Sequence, residues 1–165
     1  PKDSPPSSVV NKMRSTFDIK TAELKEGIEV SELTLREIVI LASIIERETR
    51  TEDERPIVAG VLINRLNIGM GLQADATVQY AVATAENWWP ILTKEDLLVN
   101  SPYNTYLFRG LPPAPIANPG LSSIKAAVFP EDSDYLYYLH DAKGQVYFAR
   151  TLAEHNENVR KYLGN

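Results

Sequence analysis

The sequence contains no cysteine among its 165 residues and no long hydrophobic run. Without cysteine it can form no disulfide, no thiolate metal site and no cysteine nucleophile. The longest purely apolar run, Ile38–Ala42, is far shorter than the roughly 20 residues of a membrane-spanning helix. The formal net charge of -5 argues against nucleic acid as a partner, because phosphate binding needs a basic surface.

What is present is an ordinary globular composition. Apolar residues make up 44% of the chain and charged residues 24%, which is usual for one domain with its own core. The chain begins at Pro1 rather than at methionine, and it carries no signal peptide. We therefore expect it to be part of a longer protein.

Apolar periodicity and capping residues predict helices in the first half of the chain. The first is expected over about residues 7–25, with Gly27 ending it. A second runs from Thr34 to about Thr49, and Thr34 and Glu37 have the spacing of a capping box. Three further helix starts are expected: a helix capped by Asp53 and closed by Gly69, the short helix "DATVQYAVA" capped by Asp75, and a helix begun by Thr93 and Asp96 in "TKEDLL".

The second half of the chain has more proline and more aromatic residues and predicts fewer helices. Residues 102–130 carry six of the eleven prolines, which predicts a stiff, ordered loop, with "LSSIKAAV" as a helix after Pro119. The runs "DYLYYLHD" and "QVYFAR" are aromatic and β-branched, and they predict an antiparallel hairpin around "AKG". A closing helix is expected after its cap, Thr151. The fold class is therefore α+β, helix-rich, with a small late antiparallel sheet and a C-terminal helix.

The second predicted helix ends in two carboxylates, Glu46 and Glu48. At about 100° per residue, Glu48 falls inside the arc of apolar side chains, whereas Glu46 lies at its boundary. Glu46 also has Arg50 four residues later, which is a favourable helical ion pair. Burial raises the pKa of a carboxyl group and so suits it to general acid catalysis. Glu48 is therefore the candidate acid; the alternative is that it points to solvent at the helix end.

No metal or cofactor is predicted. His140 and His155 are the two histidines of the chain, and neither has neighbours with metal-ligand spacing. The acid-rich stretch "ERETRTEDER" lacks the alternating Asp or Asn ligands and the central glycine of a calcium-binding loop. Capping and solvation of a junction between helices explain these charges better.

Three separated motifs occur in a fixed order, "LASIIERET", "INRLNIGMGLQADATVQY" and "SPYNTYLFRGLPPAPIANPG", followed by a late "HN" at His155 and Asn156. From about Leu35 to Leu163 the chain resembles the endolytic murein transglycosylase family (YceG/MltG-like). This resemblance implies an enzyme with a lysozyme-like active-site region that cuts the MurNAc–GlcNAc bond of nascent peptidoglycan and leaves 1,6-anhydro-muramyl ends. It also implies that Glu48, directly before threonine in the "ERET" motif, is the catalytic group.

The resemblance has consequences for location and partners. It implies the extracytoplasmic face of the bacterial cytoplasmic membrane, with a membrane anchor and a LysM-like domain before the catalytic part. Residues 1–30 would then be a lead-in and first helix of the same domain, and residues 31–165 the catalytic transglycosylase part. Peptidoglycan glycan strands are the expected substrate, peptidoglycan synthases are candidate partners, and no cofactor is implied.

A transglycosylase of this kind needs only one carboxylic acid. The muramyl 6-hydroxyl attacks within its own sugar, which gives a high effective molarity and takes the place of a second carboxylate. The hypothesis is that Glu48 protonates the glycosidic oxygen and then deprotonates the 6-hydroxyl. Two alternatives stay open: a hydrolytic muramidase with Asp75 or Glu46 as second carboxylate, and a non-catalytic glycan-binding or scaffold module.

The motifs supply candidate substrate-binding residues. Asn104 is the strongest, with Tyr103 and Thr105 beside it in "SPYNTY", the expected opposite wall of a glycan groove. Gln73 can donate and accept hydrogen bonds to sugar groups. Asp75 either caps its helix or stabilises positive charge on the reacting sugar.

Four further residues each have two interpretations. Asn64 either orients the catalytic glutamate or caps a turn. Tyr80 either stacks on a sugar ring or packs in the core. The adjacent Trp88 and Trp89 belong to no recognised motif, and a buried clamp is preferred over a sugar-stacking edge.

Overall fold

The computed structural model describes residues 4–164 of the chain. Its elements in chain order are α1 (Pro6–Thr21), α2 (Lys25–Val30), α3 (Leu35–Glu48), α4 (Arg55–Asn67), α5 (Asp75–Val82), α6 (Leu121–Val128), β1 (Tyr137–His140), β2 (Val146–Ala149) and α7 (Leu152–Asn158). A π-helical turn over Val159–Leu163 continues α7. The predicted α+β class, with a small late antiparallel sheet, is confirmed.

The central element is α3, which packs against α4, α5 and α6. Its predicted apolar stripe is buried, with Ile38, Leu41 and Ile45 fully inaccessible to solvent. The predicted capping box is also confirmed, because Thr34 Oγ1 accepts from the Glu37 amide at 3.3 Å and Glu37 Oε2 accepts from the Thr34 amide at 2.8 Å. The cap fixes where α3 begins, and the stripe fixes which side of it faces the core.

The first helix does not end where the sequence predicts. The chain turns through a 3-10 segment at Ala22–Leu24 and continues as α2, so Gly27 lies inside a helix. A side chain at Gly27 would overlap the ring of Phe129 and the side chain of Val128. This glycine therefore permits close packing of α2 rather than ending a helix.

The N-cap residue of α4 lies one position later than the sequence predicts. Glu54, not Asp53, holds the N-cap position, and its side chain makes no capping hydrogen bond. Pro56 lies in the first turn, as expected. Gly69 follows the helix with a φ of 64°, which confirms it as the closing residue.

Two other predicted starts are present to different degrees. Thr93 and Asp96 exchange the reciprocal hydrogen bonds of a helix start, but the helix extends only over the 3-10 turn Asp96–Leu98. Thr151 caps α7 by accepting from the Glu154 amide at 3.2 Å. Across the described residues 4–164, no helix has the length and hydrophobicity needed to cross a bilayer.

The hairpin brings late residues to the end of α3. Strands β1 and β2 pair antiparallel, with Tyr137 opposite Ala149 and Tyr138 opposite Phe148. Asn64 of α4 donates to the backbone carbonyls of Ser133 and Tyr135, just before β1, at 2.6 and 3.0 Å. These bonds fix β1 against α4, so its side chains can meet residues of the preceding helices.

Candidate active site

Glu48 is the last residue of α3, and its carboxyl group lies against β1. The Tyr138 hydroxyl donates to Glu48 Oε2 at 2.8 Å, and the glutamate side chain is partly buried. Burial raises the pKa of Glu48, with a further rise from the charge of Asp75, while the hydrogen bonds from Tyr138 and the backbone of Ala76 act the other way. Of the two orientations considered for Glu48, the structure shows the inward one, in contact with Tyr138.

Glu46 has a different environment. Its Oε2 accepts from the Gly120 amide at 2.9 Å and from the Ser123 hydroxyl at 2.7 Å, and its Oε1 lies 3.4 Å from the Arg55 guanidinium. Burial opposes ionisation, but these bonds outweigh it and lower the pKa of Glu46. The predicted ion pair with Arg50 is wrong, because Arg55 takes that place. Glu46 therefore serves the packing of helices and does not face the site.

A cleft of about 230 Å³ opens in front of Glu48. It is lined by Glu48, Arg65, Gln73, Asp75, Tyr106, Tyr138, Leu139 and His140. All but one of these residues have a polar or charged side chain, which suits a ligand rich in hydroxyl groups.

Gln73 and Asp75, both predicted as site residues, lie in this cleft. Gln73 is the one non-glycine residue in the described part of the chain with a positive φ, 49°. Asp75 is the first residue of α5, and Ala74 holds the N-cap position, so the capping role predicted for Asp75 is wrong. Its Oδ1 instead accepts from the Tyr106 hydroxyl at 2.6 Å. Burial and this carboxylate raise the pKa of Tyr106.

Arg65 connects two walls of the cleft. Its buried guanidinium donates to the backbone carbonyl of Leu136, before β1, at 2.6 Å, and to that of Leu72, before Gln73, at 2.5 Å. Within residues 4–164 no carboxylate lies within 4 Å of it. Arg65 therefore fixes the hairpin relative to the Gln73 loop and brings a positive charge to the cleft.

His140 closes another side of the cleft. Its Nε2 lies 2.9 Å from Glu54 Oε2, and both side chains are largely buried. Burial alone would favour the neutral form of Glu54, but hydrogen bonds from His140, the Arg50 amide and Thr51 outweigh it and lower its pKa. The pair ties β1 to the start of α4.

Asn104 and Thr105 lie behind the cleft wall rather than on it. Asn104 is fully buried, and its amide donates to the backbone carbonyls of Leu97 and Val99, both at 2.9 Å. Thr105 Oγ1 accepts from the Ala74 amide at 3.1 Å. Both side chains have their hydrogen-bonding groups satisfied inside the protein, so the substrate contacts expected of them do not fit their positions. Their role is to place Tyr106, which does reach the cleft.

The other predicted site residues lie elsewhere. Asn64 anchors the segment before β1, so neither of its two expected roles is correct. The rings of Tyr80 and Tyr103 pack against each other with centroids 4.8 Å apart, outside the cleft. Tyr80 is 40% exposed, which excludes the core position considered for it.

Five cleft residues were not predicted: Arg65, Tyr106, Tyr138, Leu139 and His140. Two of them had a usable signal, because alternation along a strand puts Tyr138 and His140 on one face of β1. Tyr106 and Arg65 belong to the quoted motifs "SPYNTY" and "INRL". No local pattern shows which strand face meets the end of α3, since that depends on the packing of distant elements.

Comparison with known proteins adds the family context. A family model described as the YceG-like family matches residues 1–161. A Bacillus subtilis protein named endolytic murein transglycosylase is 41% identical over 141 residues, covering 86% of this chain and 38% of that protein. A Streptococcus pneumoniae protein of the same name is 31% identical over 166 residues, covering 96% of this chain and 29% of that protein.

A solved structure is also similar. The crystal structure of a YceG-like protein from Listeria monocytogenes matches with a TM-score of 0.85 and 40% sequence identity. The match covers 94% of this chain and 50% of that one. The chain thus spans half of the solved protein and about a third of the length of the curated relatives.

Proposed function

The chain belongs to the YceG-like family, and from this we propose that it catalyses endolytic lytic transglycosylation of peptidoglycan strands, with Glu48 as its single acid and base. The observation that carries the proposal is the carboxyl group of Glu48. It is partly buried, has a raised pKa, is held by Tyr138, and opens onto a polar cleft. Two relatives named endolytic murein transglycosylase support the choice of substrate and reaction.

In the proposed reaction, protonated Glu48 gives its proton to the glycosidic oxygen as the bond from that oxygen to the muramyl C1 breaks. The 6-hydroxyl oxygen of the same muramyl residue bonds to C1, and its proton passes to the Glu48 carboxylate. The group is thereby restored, no water is consumed, and a 1,6-anhydro end is formed. A raised pKa keeps Glu48 protonated for the first step, and the intramolecular attack makes a second carboxylate unnecessary.

Other cleft residues have proposed roles that follow from their chemistry. The Asp75 carboxylate, held by Tyr106, stabilises positive charge that develops at C1. Gln73 hydrogen-bonds sugar hydroxyl or acetamido groups. Tyr138 positions the Glu48 carboxyl group, which it contacts directly.

A second candidate is a hydrolytic muramidase, and the position of Asp75 favours it. Asp75 lines the same cleft as Glu48, as a second carboxylate would have to. Glu46, the other residue considered for that role, is bound to Gly120, Ser123 and Arg55 and does not line the cleft. The two reactions differ in their product, because hydrolysis leaves a reducing muramyl end.

The proposal extends to the cellular context. Nascent glycan strands are made at the extracytoplasmic face of the cytoplasmic membrane, so we place the active site there. Residues 31–165 form the catalytic part, with residues 1–30 as its lead-in. A membrane anchor and contact with a peptidoglycan synthase are proposed for parts of the full-length protein outside this chain.

The test is mass spectrometry of uncrosslinked glycan strands incubated with the wild-type chain, Glu48→Gln and Asp75→Asn. We expect internal cuts with anhydro-muramyl ends, a loss of at least about a hundredfold in rate for Glu48→Gln, and a smaller loss for Asp75→Asn. Glu52→Gln is the matched control, because Glu52 lies nearby and its side chain is 78% exposed. It should retain the wild-type rate.

Each other outcome selects a different function. Reducing muramyl ends from the wild-type chain would establish the hydrolase. Strands that bind but stay intact with the wild-type chain would indicate the glycan-binding or scaffold module. Full activity of Glu48→Gln would show that Glu48 is not the acid and base of the reaction.

A further inference from the structure

A second groove lies at the other end of α5 from the cleft. It has a volume of about 650 Å³, and its walls include Tyr80, Ala83, Trp88, Trp89, Ile116 and Asn118. Most of the lining residues are apolar or aromatic, and Asn118 and Thr84 are the polar ones. The groove is larger and more apolar than the cleft in front of Glu48.

The two tryptophans of this groove face solvent. Trp88 is 67% exposed and Trp89 is 42% exposed, so the expected buried clamp is wrong. The Arg47 guanidinium stacks over the Trp89 ring at 3.5 Å and holds it in place. Within residues 4–164, the Trp88 ring has no aromatic or cationic partner. The Trp88 ring is thus open to solvent, next to the Trp89 ring that Arg47 holds in place.

Two elements connect the groove to the cleft. Arg47 and Glu48 are successive residues at the end of α3, and each serves one of the two sites. Asp75 in the cleft and Tyr80 in the groove are five residues apart on α5, which is about 7–8 Å along the helix axis. A chain-like ligand that passes Glu48 would therefore reach the groove within a few sugar units.

We propose that this groove binds a second, non-reacting part of the same glycan strand, with one pyranose ring stacked on Trp88. The inference rests on the proposed function for its substrate class. The C–H face of a sugar ring is apolar and packs on an aromatic ring, while its hydroxyl groups need polar partners at the edge. Trp88 offers the aromatic ring, and Asn118 and Thr84 are the polar residues at the edge.

Charge also fits this ligand. Within residues 4–164 no carboxylate lies within 4 Å of the Arg47 guanidinium, which lies beside the groove. Muramyl residues carry a lactyl group whose carboxyl is free or extended by peptide. Arg47 is placed to attract such an anionic substituent while its planar group stays on Trp89. The groove would then favour long internal stretches of strand over short ends.

The test uses the fact that Trp88 and Trp89 are the only two tryptophans of the chain. In a Glu48→Gln background, which should bind without cutting, defined uncrosslinked GlcNAc–MurNAc oligosaccharides of increasing length are titrated by calorimetry and by tryptophan fluorescence. We expect fluorescence to change only with fragments long enough to reach the groove. We also expect Trp88→Ala to weaken the binding of these fragments about fivefold to tenfold and to abolish the gain in affinity with length.

The matched control is Ile91→Ala in the same background. Ile91 is 94% exposed, follows the tryptophans in the same segment and does not line the groove, so its loss should not change the affinity. A gain in affinity with length that survives Trp88→Ala, or an equal loss in both variants, would overturn the proposal. The two proposals can fail separately. If strands are cut but Trp88→Ala has no effect on binding, the groove proposal alone is contradicted. If strands bind through Trp88 but the wild-type chain leaves them intact, the proposed activity alone is contradicted.

Discussion

Glu46 and Glu48 are two residues apart on α3, and their surroundings shift their pKa values in opposite directions. Two helical steps of about 100° turn the side chains to different sides of the helix. One side meets the Gly120 amide and Ser123, which together favour the carboxylate. The other meets β1, where burial favours the protonated acid. Helix geometry thus separates a structural carboxylate from one suited to acid catalysis.

Tyr138→Phe tests whether the tyrosine positions Glu48 and tunes its proton affinity. The hydroxyl donates to the Glu48 carboxylate, so its removal should raise the pKa of Glu48 further. Because the reaction begins with protonated Glu48, the activity falls as the pH rises through this pKa. We expect the alkaline limb of the profile of kcat/KM against pH to move to higher pH, and the maximum rate to fall about tenfold.

Tyr147→Phe is the matched control for that variant. Tyr147 is on the neighbouring strand β2, and its hydroxyl meets Asp141 at 3.3 Å, away from the cleft. It should leave the pH profile in place. An alkaline limb that stays fixed in Tyr138→Phe would show that the tyrosine is only part of the packing.

At this scale the sequence predicts the residue whose position within one helix is informative and misses those that depend on distant elements. Glu48 could be singled out because its place on the helix puts it within the arc of apolar side chains. Tyr138 could not be paired with it, because the two residues are ninety positions apart and meet only through the packing of β1 on α4. Asn104 lies in the segment "SPYNTY", which also contains the cleft residue Tyr106. Which side chains of this segment turn inward is set by its contacts with the start of α5.

Among the elements, the loop over residues 101–110 depends on one buried side chain. Asn104 donates two hydrogen bonds to the carbonyls of Leu97 and Val99, which precede the loop, and its Oδ1 accepts one from the Tyr106 amide at 3.0 Å. Asn104→Ala would leave these groups buried without partners, so we expect a loss of about 1–3 kcal/mol in the free energy of unfolding, measured by chemical denaturation. Asn100→Ala, at an exposed position in the adjoining segment, should stay within about 0.5 kcal/mol of the wild-type chain. Equal values for the two variants would contradict this role.

Element boundaries follow the sequence where a local hydrogen bond or a backbone angle decides them. The caps at Thr34 and Thr151 and the stop at Gly69 are of this kind. Gly27 fails as a stop because close packing with Phe129, a tertiary contact, explains it better. Asp75 fails as a cap because its carboxylate is bound to Tyr106 on another segment. The exceptions thus lie where long-range contacts compete with local signals.

In the whole molecule, the end of α3 is the point where the separate parts of the chain meet. Glu46 joins α3 to Arg55 of α4 and to the residues that begin α6, and Glu48 joins it to β1. Both contacts involve ionisable groups, so the stability of the molecule as a whole should depend on pH through these two residues with opposite signs. The sequence shows both carboxylates, but the signs come only from their folded surroundings.

The final prediction compares the pH dependence of stability in Glu46→Gln and Glu48→Gln. The pKa of Glu46 is lowered by folding, so its contribution is stabilising above the ordinary value of 4.5 and is lost as the pH falls through the lowered pKa. The pKa of Glu48 is raised by folding, so its ionisation destabilises the chain as the pH rises from 4.5 through the raised pKa.

At about pH 7 we therefore expect Glu46→Gln to lose about 1–3 kcal/mol of the free energy of unfolding and to have a lower Tm, because charge-assisted hydrogen bonds are lost. Glu48→Gln should have a higher Tm than the wild-type chain, and both differences should shrink as the pH falls below the ordinary value of 4.5 and the carboxyl groups become protonated. Thermal unfolding of the three proteins across this range is the measurement, and shifts of the same sign at neutral pH would contradict the assignment of the two glutamates to structure and to chemistry.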